Sequence, residues 1–152
     1  MKSIIAILLL LAVFSMLPGC MSDGRKSFSL SIVYSSPWGF PLKYQLTQQS
    51  IIVNKISDKN GKVVKEVYIR YLKKGESDSI YNFLRSIPYD TLKKSYENLS
   101  YFDGIDKIIA IRGKKMPSKR VLVYMCATRI TDTLESLVQN LVLTEGFKRE
   151  NW

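Results

Sequence analysis

The stretch that decides the fold is Phe28-Ser29-Leu30-Ser31-Ile32-Val33-Tyr34, in which large apolar residues alternate with smaller ones. In an extended chain the bulky side chains fall on one side, and the serines with Val33 fall on the other. A period of two predicts a β-strand with one face in a core and one face toward water. The protein is therefore expected to contain a sheet with one wet face.

Apolar segments that are separated by turn-forming residues predict further strands. Candidate strands follow at residues 40–46, where Pro41 weakens the pattern, and at 51–56, 63–72, 105–112 and 121–127. Asp58-Lys59-Asn60-Gly61 predicts a hairpin turn, because Asn-Gly accepts positive φ at little cost. Residues 121–127 are apolar on both faces, which is expected of a central strand covered on two sides.

Three helices are predicted where the apolar spacing changes from two to three or four. Their apolar faces are Ile80, Phe83, Leu84 and Ile87 in the first, Leu92, Tyr96 and Leu99 in the second, and Leu134, Leu137, Val138, Leu141 and Val142 in the third. The predicted N-caps are Ser77 or Asp78, then Asp90, then Asp132 with Glu135 as a capping box. Pro88 and Gly146 are expected to end the first and third helices.

The order of strands, helices, a hairpin and a last helix predicts the α+β class. We expect a single domain with a mainly antiparallel sheet and two to three helices packed on one face. The predicted boundaries are 1–19 for a signal peptide, 20–27 for a lipidated cysteine and tether, 28–146 for the globular domain, and 147–152 for a C-terminal tail. The sequence contains no internal repeat.

The N-terminus carries Lys2, an apolar run from Ile4 to Leu17, and then Leu17-Pro18-Gly19-Cys20. This segment resembles the signal peptide and lipobox of bacterial lipoproteins, with Pro18 a less usual residue at its position. The resemblance implies a diacylglyceryl group on the Cys20 thiol, cleavage after Gly19, and acylation of the new amino group by a chain such as palmitate. It covers about twenty residues and does not extend to the folded domain.

Two other interpretations of the N-terminus stay open, an uncleaved membrane anchor and an ordinary cleaved signal. A spanning helix needs about 20 apolar residues, and this run is shorter and interrupted. An ordinary signal has a small residue where Leu17 stands. The lipoprotein interpretation implies a location in the bacterial cell envelope. Because Met21 stands where an aspartate favours inner-membrane retention, the expected site in a Gram-negative cell is the outer membrane.

The chain is strongly basic, with 23 Lys and Arg against 13 Asp and Glu and a net charge of +10 at pH 7. Removal of residues 1–19 takes away only Lys2. Such a charge attracts anionic lipid headgroups, acidic glycans, nucleic acid or acidic proteins. Export argues against nucleic acid. A solvated basic surface with no dedicated ligand is the alternative.

The residue inventory excludes several kinds of chemistry. The chain has no histidine, so serine or cysteine catalysis assisted by histidine cannot occur within it, and common catalytic zinc sites lose their usual ligands. Its cysteines are Cys20 and Cys126. With Cys20 lipidated, no internal disulfide forms, and Cys126 is expected to be a core residue. Asp58-x-Asn60-Gly61 lacks the regularly spaced oxygen ligands of a calcium-binding loop. No metal and no cofactor are expected.

The candidate binding residues lie in a basic segment, in which five of the nine residues from 112 to 120 are cations. These are Arg112, Lys114, Lys115, Lys119 and Arg120, and they predict either an anion-binding loop or a solvated hairpin tip. A second basic group contains Lys59, Lys62, Lys65, Lys73 and Lys74, and the two groups reinforce each other if they share one end of the sheet. Trp38, between Pro37 and Gly39, is a candidate partner contact.

The sequence thus favours a non-catalytic envelope lipoprotein whose basic domain binds an acidic protein or an envelope polymer, for instance as an immunity-type protein. One alternative is a structural or assembly subunit of an envelope complex. Another is an envelope enzyme based on carboxylates, for which Glu97, Asp103 and Asp106 are the candidates. Two aspartates close to Gly104 are also typical of a simple turn.

Overall fold

The computed structural model describes residues 26–35, 41–57, 62–98, 100, 105–126 and 128–143, and within this part the chain forms a seven-stranded sheet. The strands are β1 (Phe28–Ser35), β2 (Leu42–Thr47), β3 (Ser50–Ile56), β4 (Val63–Tyr71), β5 (Ser95–Glu97), β6 (Asp106–Gly113) and β7 (Met116–Tyr124). The helices are α1 (Lys74–Ser86) and α2 (Arg129–Leu143), and a 3₁₀ helix spans Tyr89–Thr91. Predictions about Cys20, Trp38, the turn at 58–61, Asp103, Gly146 and the tail concern residues outside the described ones.

The strand order is β4-β3-β2-β1-β6-β7-β5, so β1 lies in the middle of the sheet. All neighbouring strands are antiparallel except β5 and β7, which are parallel. Leu30 pairs with Leu46 of β2 on one side and with Ile111 of β6 on the other. The prediction of a single α+β domain with a mainly antiparallel sheet is confirmed.

The alternation in β1 separates the two faces of the sheet as the sequence predicts. Leu30 and Ile32 are fully buried, whereas Ser29, Ser31 and Val33 are half-buried. The apolar sides of α1 and α2 join the buried face of β1 in one hydrophobic core. We call the opposite sheet face, on which Ser31 and Val33 lie, the open face.

The first helix begins earlier than the sequence predicts. Its N-cap is Lys73, so Ser77 and Asp78 lie inside the helix and the prediction that one of them caps it is wrong. The Glu76 carboxylate accepts the Lys73 N–H at 2.9 Å and the Arg70 guanidinium at 2.7 Å. These contacts stabilise the first turn, and they hold the pKa of Glu76 below its ordinary value.

The predicted second helix is wrong, because the chain there forms the 3₁₀ turn and then β5. Tyr89 is buried, and its hydroxyl donates to the Leu84 carbonyl at 2.8 Å, which fixes the 3₁₀ turn against the end of α1. Tyr96 then lies opposite Val123 in the parallel pair of β5 and β7. The spacing of Leu92 and Tyr96 reflects two separate contacts with the core.

The strand predicted at 121–127 begins earlier in the structure, at Met116, and also ends earlier, at Tyr124. It lies between β6 and the short β5 and is not a central strand covered on two sides. Val121 and Val123 are buried in the core, whereas Leu122 is half-buried on the open face. Cys126 follows the strand and is also half-buried, so the prediction of a core strand cysteine is wrong.

The last helix is confirmed, with Leu134, Val138 and Val142 buried along one side. The start of this helix differs from the prediction, because Thr128 and Thr131 form the reciprocal pair of backbone-to-side-chain hydrogen bonds that caps it. The Thr131 N–H donates to the Thr128 hydroxyl at 3.2 Å, and the Thr128 N–H donates to the Thr131 hydroxyl at 2.9 Å. The capping box predicted at Asp132 and Glu135 is therefore wrong.

Candidate anion-binding groove on the open face

The basic segment at 112–120 is a β-hairpin and not a loop. Gly113, the last residue of β6, pairs with Met116, the first of β7, so the turn consists of Lys114 and Lys115 alone. Arg112 and Arg120 lie on the strands, while the two lysines are exposed at the turn. Arg112 and Arg120 thus lie on the open face, and Lys114 and Lys115 lie at one end of the sheet. The fifth predicted cation, Lys119, lies opposite the buried Ile111 and therefore on the other face.

Two hydrogen bonds hold this turn against the rest of the domain, and one of its residues has a strained backbone conformation. The Lys114 N–H donates to the Ser27 carbonyl at 2.9 Å, and the Tyr81 hydroxyl donates to the Lys114 carbonyl at 3.3 Å. Lys115 has a φ of 62°, in the left-handed region that is unfavourable for residues with a Cβ. Neither feature is readable from the sequence, which has no glycine or asparagine at this position.

Replacing Lys115 by glycine is expected to raise the free energy of unfolding by about 0.5–1 kcal/mol, because the left-handed strain is relieved. Urea denaturation of the purified protein measures this change. The matched control is Lys114→Gly, which removes the same charge from the neighbouring turn position. A similar gain in both variants would show that charge repulsion, and not backbone strain, is relieved.

Cations from separate parts of the chain converge on a groove of about 230 Å³ in the open face. In antiparallel strands, residues directly opposite each other point to the same face. Lys43 of β2 lies opposite Val33, which lies opposite Ile108. Arg120 lies opposite Ala110 in the neighbouring row. The described lining residues are Ser31, Val33, Lys43, Ile108, Ala110, Arg112, Ser118, Lys119 and Arg120.

The groove continues toward the other edge of the sheet. An adjoining depression of about 600 Å³ is lined by Lys94, Ile108, Ser118, Lys119, Arg120 and Leu122, so the two depressions share four residues. Together they extend from β2 across β1, β6 and β7 to Lys94 beside β5. Four strand intervals at about 4.8 Å give a length of roughly 19 Å. The site is an elongated, shallow groove that crosses the strands.

No anion among the described residues neutralises the cations of the groove. Lys43, Arg112 and Arg120 form no ion pair with a described residue. No aspartate or glutamate is among the lining residues, while the Ser31 and Ser118 hydroxyls lie among the cations. The floor of the groove is apolar and is formed by Val33, Ile108, Ala110 and Leu122. This combination suits a ligand that carries both anionic and apolar groups.

Of the carboxylates considered for catalysis, Glu97 and Asp106 lie on the open face but do not line the groove, and Asp103 lies outside the described residues. Asp106 and Glu97 each pair with Tyr124, one from β6 and one from β5. Asp106 is two residues along β6 from the lining residue Ile108, or about 7 Å, and six residues from Arg112, or about 20 Å. Glu97 is exposed and Asp106 is half-buried. Among the described residues, no group of three or more side chains is arranged to hold a metal ion.

A polar cluster on the core side joins β6 to α2. The Lys107 ammonium lies 2.6 Å from the Glu135 carboxylate, which also accepts the Gln139 amide at 3.0 Å. Burial raises the pKa of Tyr34 far above its ordinary value, and the negative charge of Glu135 raises it further. Tyr34 therefore stays protonated at neutral pH and cannot act as a general base there. The ion pair between Lys107 and Glu135 therefore links β6 to α2.

The second basic group predicted from the sequence is divided by the fold. Lys73 and Lys74 lie where β4 ends and α1 begins, while Lys62 and Lys65 lie at the opposite end of β4. The prediction missed Lys43, Lys94, Ser31 and Ser118 as groove residues. Lys43 stands at a wet-face position of an alternating strand, which is the one signal that was available. Trp38, Lys59 and Cys20 lie outside the described residues.

Neither described helix is long and apolar enough to cross a bilayer. Comparison with known protein families, curated proteins and solved structures finds no match for the chain. The proposals below therefore depend on the sequence and the geometry alone.

Proposed function

We propose that the protein is a lipid-anchored envelope protein of bacteria that binds an acidic protein partner through the groove on the open face, without catalysing a reaction. The observation that carries this proposal is the convergence of Lys43, Arg112 and Arg120 on one groove that no described carboxylate lines. Unneutralised cations in a shallow depression focus the electrostatic potential and accelerate association with an anionic surface.

The apolar floor favours a protein partner over a glycan or another envelope polymer. Val33, Ile108 and Leu122 are half-buried along the groove, where a partner's apolar side chains would remove them from water. Arginine is enriched in protein interfaces, since its guanidinium binds carboxylates in a bidentate manner. Since α1 and α2 pack on the other side of the sheet, neither helix covers the groove on the open face.

The Cys20 lipid anchor would concentrate this binding surface at the membrane. Two or three acyl chains hold a domain on a bilayer far more firmly than one. In a Gram-negative cell we place the protein at the outer membrane. An immunity-type protein, which intercepts an incoming toxin at the envelope, is one concrete form of this function. It requires only tight binding of one acidic partner.

The exposed edge of the sheet favours a second candidate, an accessory subunit of an envelope complex. Val64 is 65% exposed and Ile69 is 42% exposed on β4, which has no described strand on its outer side. Such an edge can accept a strand from another protein. A contact at Val64, and not in the groove, would support this alternative.

Photo-cross-linking in native membranes tests the proposal. A photoreactive amino acid is placed at Ser118, an exposed groove residue, in the full-length protein. We expect one dominant protein adduct, because the partner must cover this position. The matched control places the same amino acid at Ser79, which is exposed on α1 away from the open face.

Two outcomes would contradict the proposed function. If Ser118 gives no more adduct than Ser79, the groove is not a protein-binding surface. If the dominant adduct appears with a probe at Val64 and not at Ser118, the edge strand is the interface and the accessory-subunit alternative replaces the groove proposal.

A further inference from the structure

The point where the chain enters the domain lies beside the turn of the β6–β7 hairpin. Phe28, the first residue of β1, pairs with Gly113, the last residue of β6. The Lys114 N–H donates to the Ser27 carbonyl at 2.9 Å. The segment that leads from Cys20 therefore joins the domain next to the two lysines of the turn.

The end of β4 and the start of α1 lie at this same end of the sheet. Ser29 of β1 pairs with Thr47 at the end of β2, and Ser50 at the start of β3 pairs with Tyr71. The Leu72 N–H donates to the Gln49 carbonyl in the β2–β3 turn. We define the tether end by five of its exposed residues, which are Tyr71, Lys73, Lys74, Lys114 and Lys115.

The tether end is cationic, and its neighbouring carboxylates are already paired. Asp78 lies 2.7 Å from the Lys26 ammonium, and Glu76 lies 2.7 Å from the Arg70 guanidinium. The four lysines of the tether end form no ion pair with a described residue. Tyr71, which is 75% exposed, adds a ring with an apolar body and a polar tip. Such rings are favoured at the boundary between membrane and water.

We infer that the tether end faces the bilayer and that its lysines bind anionic lipid headgroups; this inference rests on the proposed anchoring through Cys20. The seven residue intervals from Cys20 to Ser27 span at most about 25 Å when fully extended, so the tether end cannot lie far from the anchor. Lysines close to an anionic leaflet are attracted to it, and four of them favour one orientation of the domain.

This orientation makes the groove accessible to a partner. The strands of the sheet then rise away from the membrane, and the open face points sideways. Lys114 and Lys115 contact lipid, whereas Arg112 and Arg120 remain in the groove. Four of the five cations that the sequence places in one segment thus serve two different surfaces.

The experiment uses the full-length lipidated protein, reconstituted into vesicles of phosphatidylcholine with phosphatidylglycerol or of phosphatidylcholine alone. A membrane-impermeant amine reagent labels exposed lysines, and mass spectrometry gives the rate at each one. In the anionic vesicles we expect Lys73, Lys74, Lys114 and Lys115 to be labelled roughly fivefold or more slowly than Lys62 and Lys65. In phosphatidylcholine alone this difference should disappear.

A pair of charge-matched variants completes the test. Lys114→Glu with Lys115→Glu should abolish the protection of Lys73 and Lys74, whereas Lys62→Glu with Lys65→Glu should preserve it. Protein that does not float with the vesicles would overturn the anchoring proposal itself. Protein that floats, but shows equal labelling at both ends of the sheet or unchanged protection in the first variant, would overturn the orientation alone.

Discussion

Replacing both Arg112 and Arg120 by glutamate is expected to reduce the yield of the Ser118 cross-link by about a hundredfold or more. Each arginine lies in the groove without an ion pair to a described residue, so its charge is free for the partner. Loss of one buried charge contact across an interface typically costs 2–5 kcal/mol, and about 1.4 kcal/mol corresponds to tenfold in affinity. Reversal of the charge adds repulsion to this loss.

The control for this variant is Lys62→Glu with Lys65→Glu, which changes the net charge by the same amount. Both lysines are exposed near the start of β4, away from the groove. We expect this control to retain most of the cross-link, since general attraction to an acidic partner is weaker than contact in the groove. Equal losses in the two variants would show that only net charge matters. Circular dichroism checks that both variants remain folded.

Leu30→Ala is expected to lower the free energy of unfolding by about 2–5 kcal/mol, which is the usual cost of emptying a fully packed leucine site. Leu30 is completely buried in the middle strand, and its neighbours in the pairing are Leu46 and Ile111. A cavity at this position affects both halves of the sheet. Urea denaturation of the purified protein measures the loss.

Ser31→Ala is the matched control for this prediction, because it changes the next residue of the same strand on the open face. Surface changes of this kind are usually within about 0.5 kcal/mol. If Ser31→Ala destabilises the protein as much as Leu30→Ala does, the assignment of the two sheet faces is wrong.

The sequence predicts the strands of this protein well where the alternation is strict, as in β1. It fails where residues contact the core from different directions. Leu92 and Tyr96 have helical spacing, yet one precedes β5 and the other lies within it, since pairing with β7 decides their conformation. Leu122 is apolar, which predicts a covered face, although it forms part of the groove floor.

The candidate site shows the same division between local and long-range information. The hairpin cations Arg112 and Arg120 are visible in the sequence as a basic segment. Lys43 joins them only because β1 lies between β2 and β6, and strand order cannot be read from local patterns. The position of Ser27 beside the hairpin turn is likewise a consequence of strand pairing. Both proposals therefore depend on the topology.

Lys43 provides the most direct test of the central claim that the groove acts as one binding surface. The measurement is the yield of the Ser118 cross-link in Lys43→Glu, compared with Lys65→Glu as the charge-matched control. The groove account predicts a loss of about tenfold or more in Lys43→Glu and little change in the control. Unchanged cross-linking in Lys43→Glu would contradict it, because the partner would then contact the hairpin without occupying the groove.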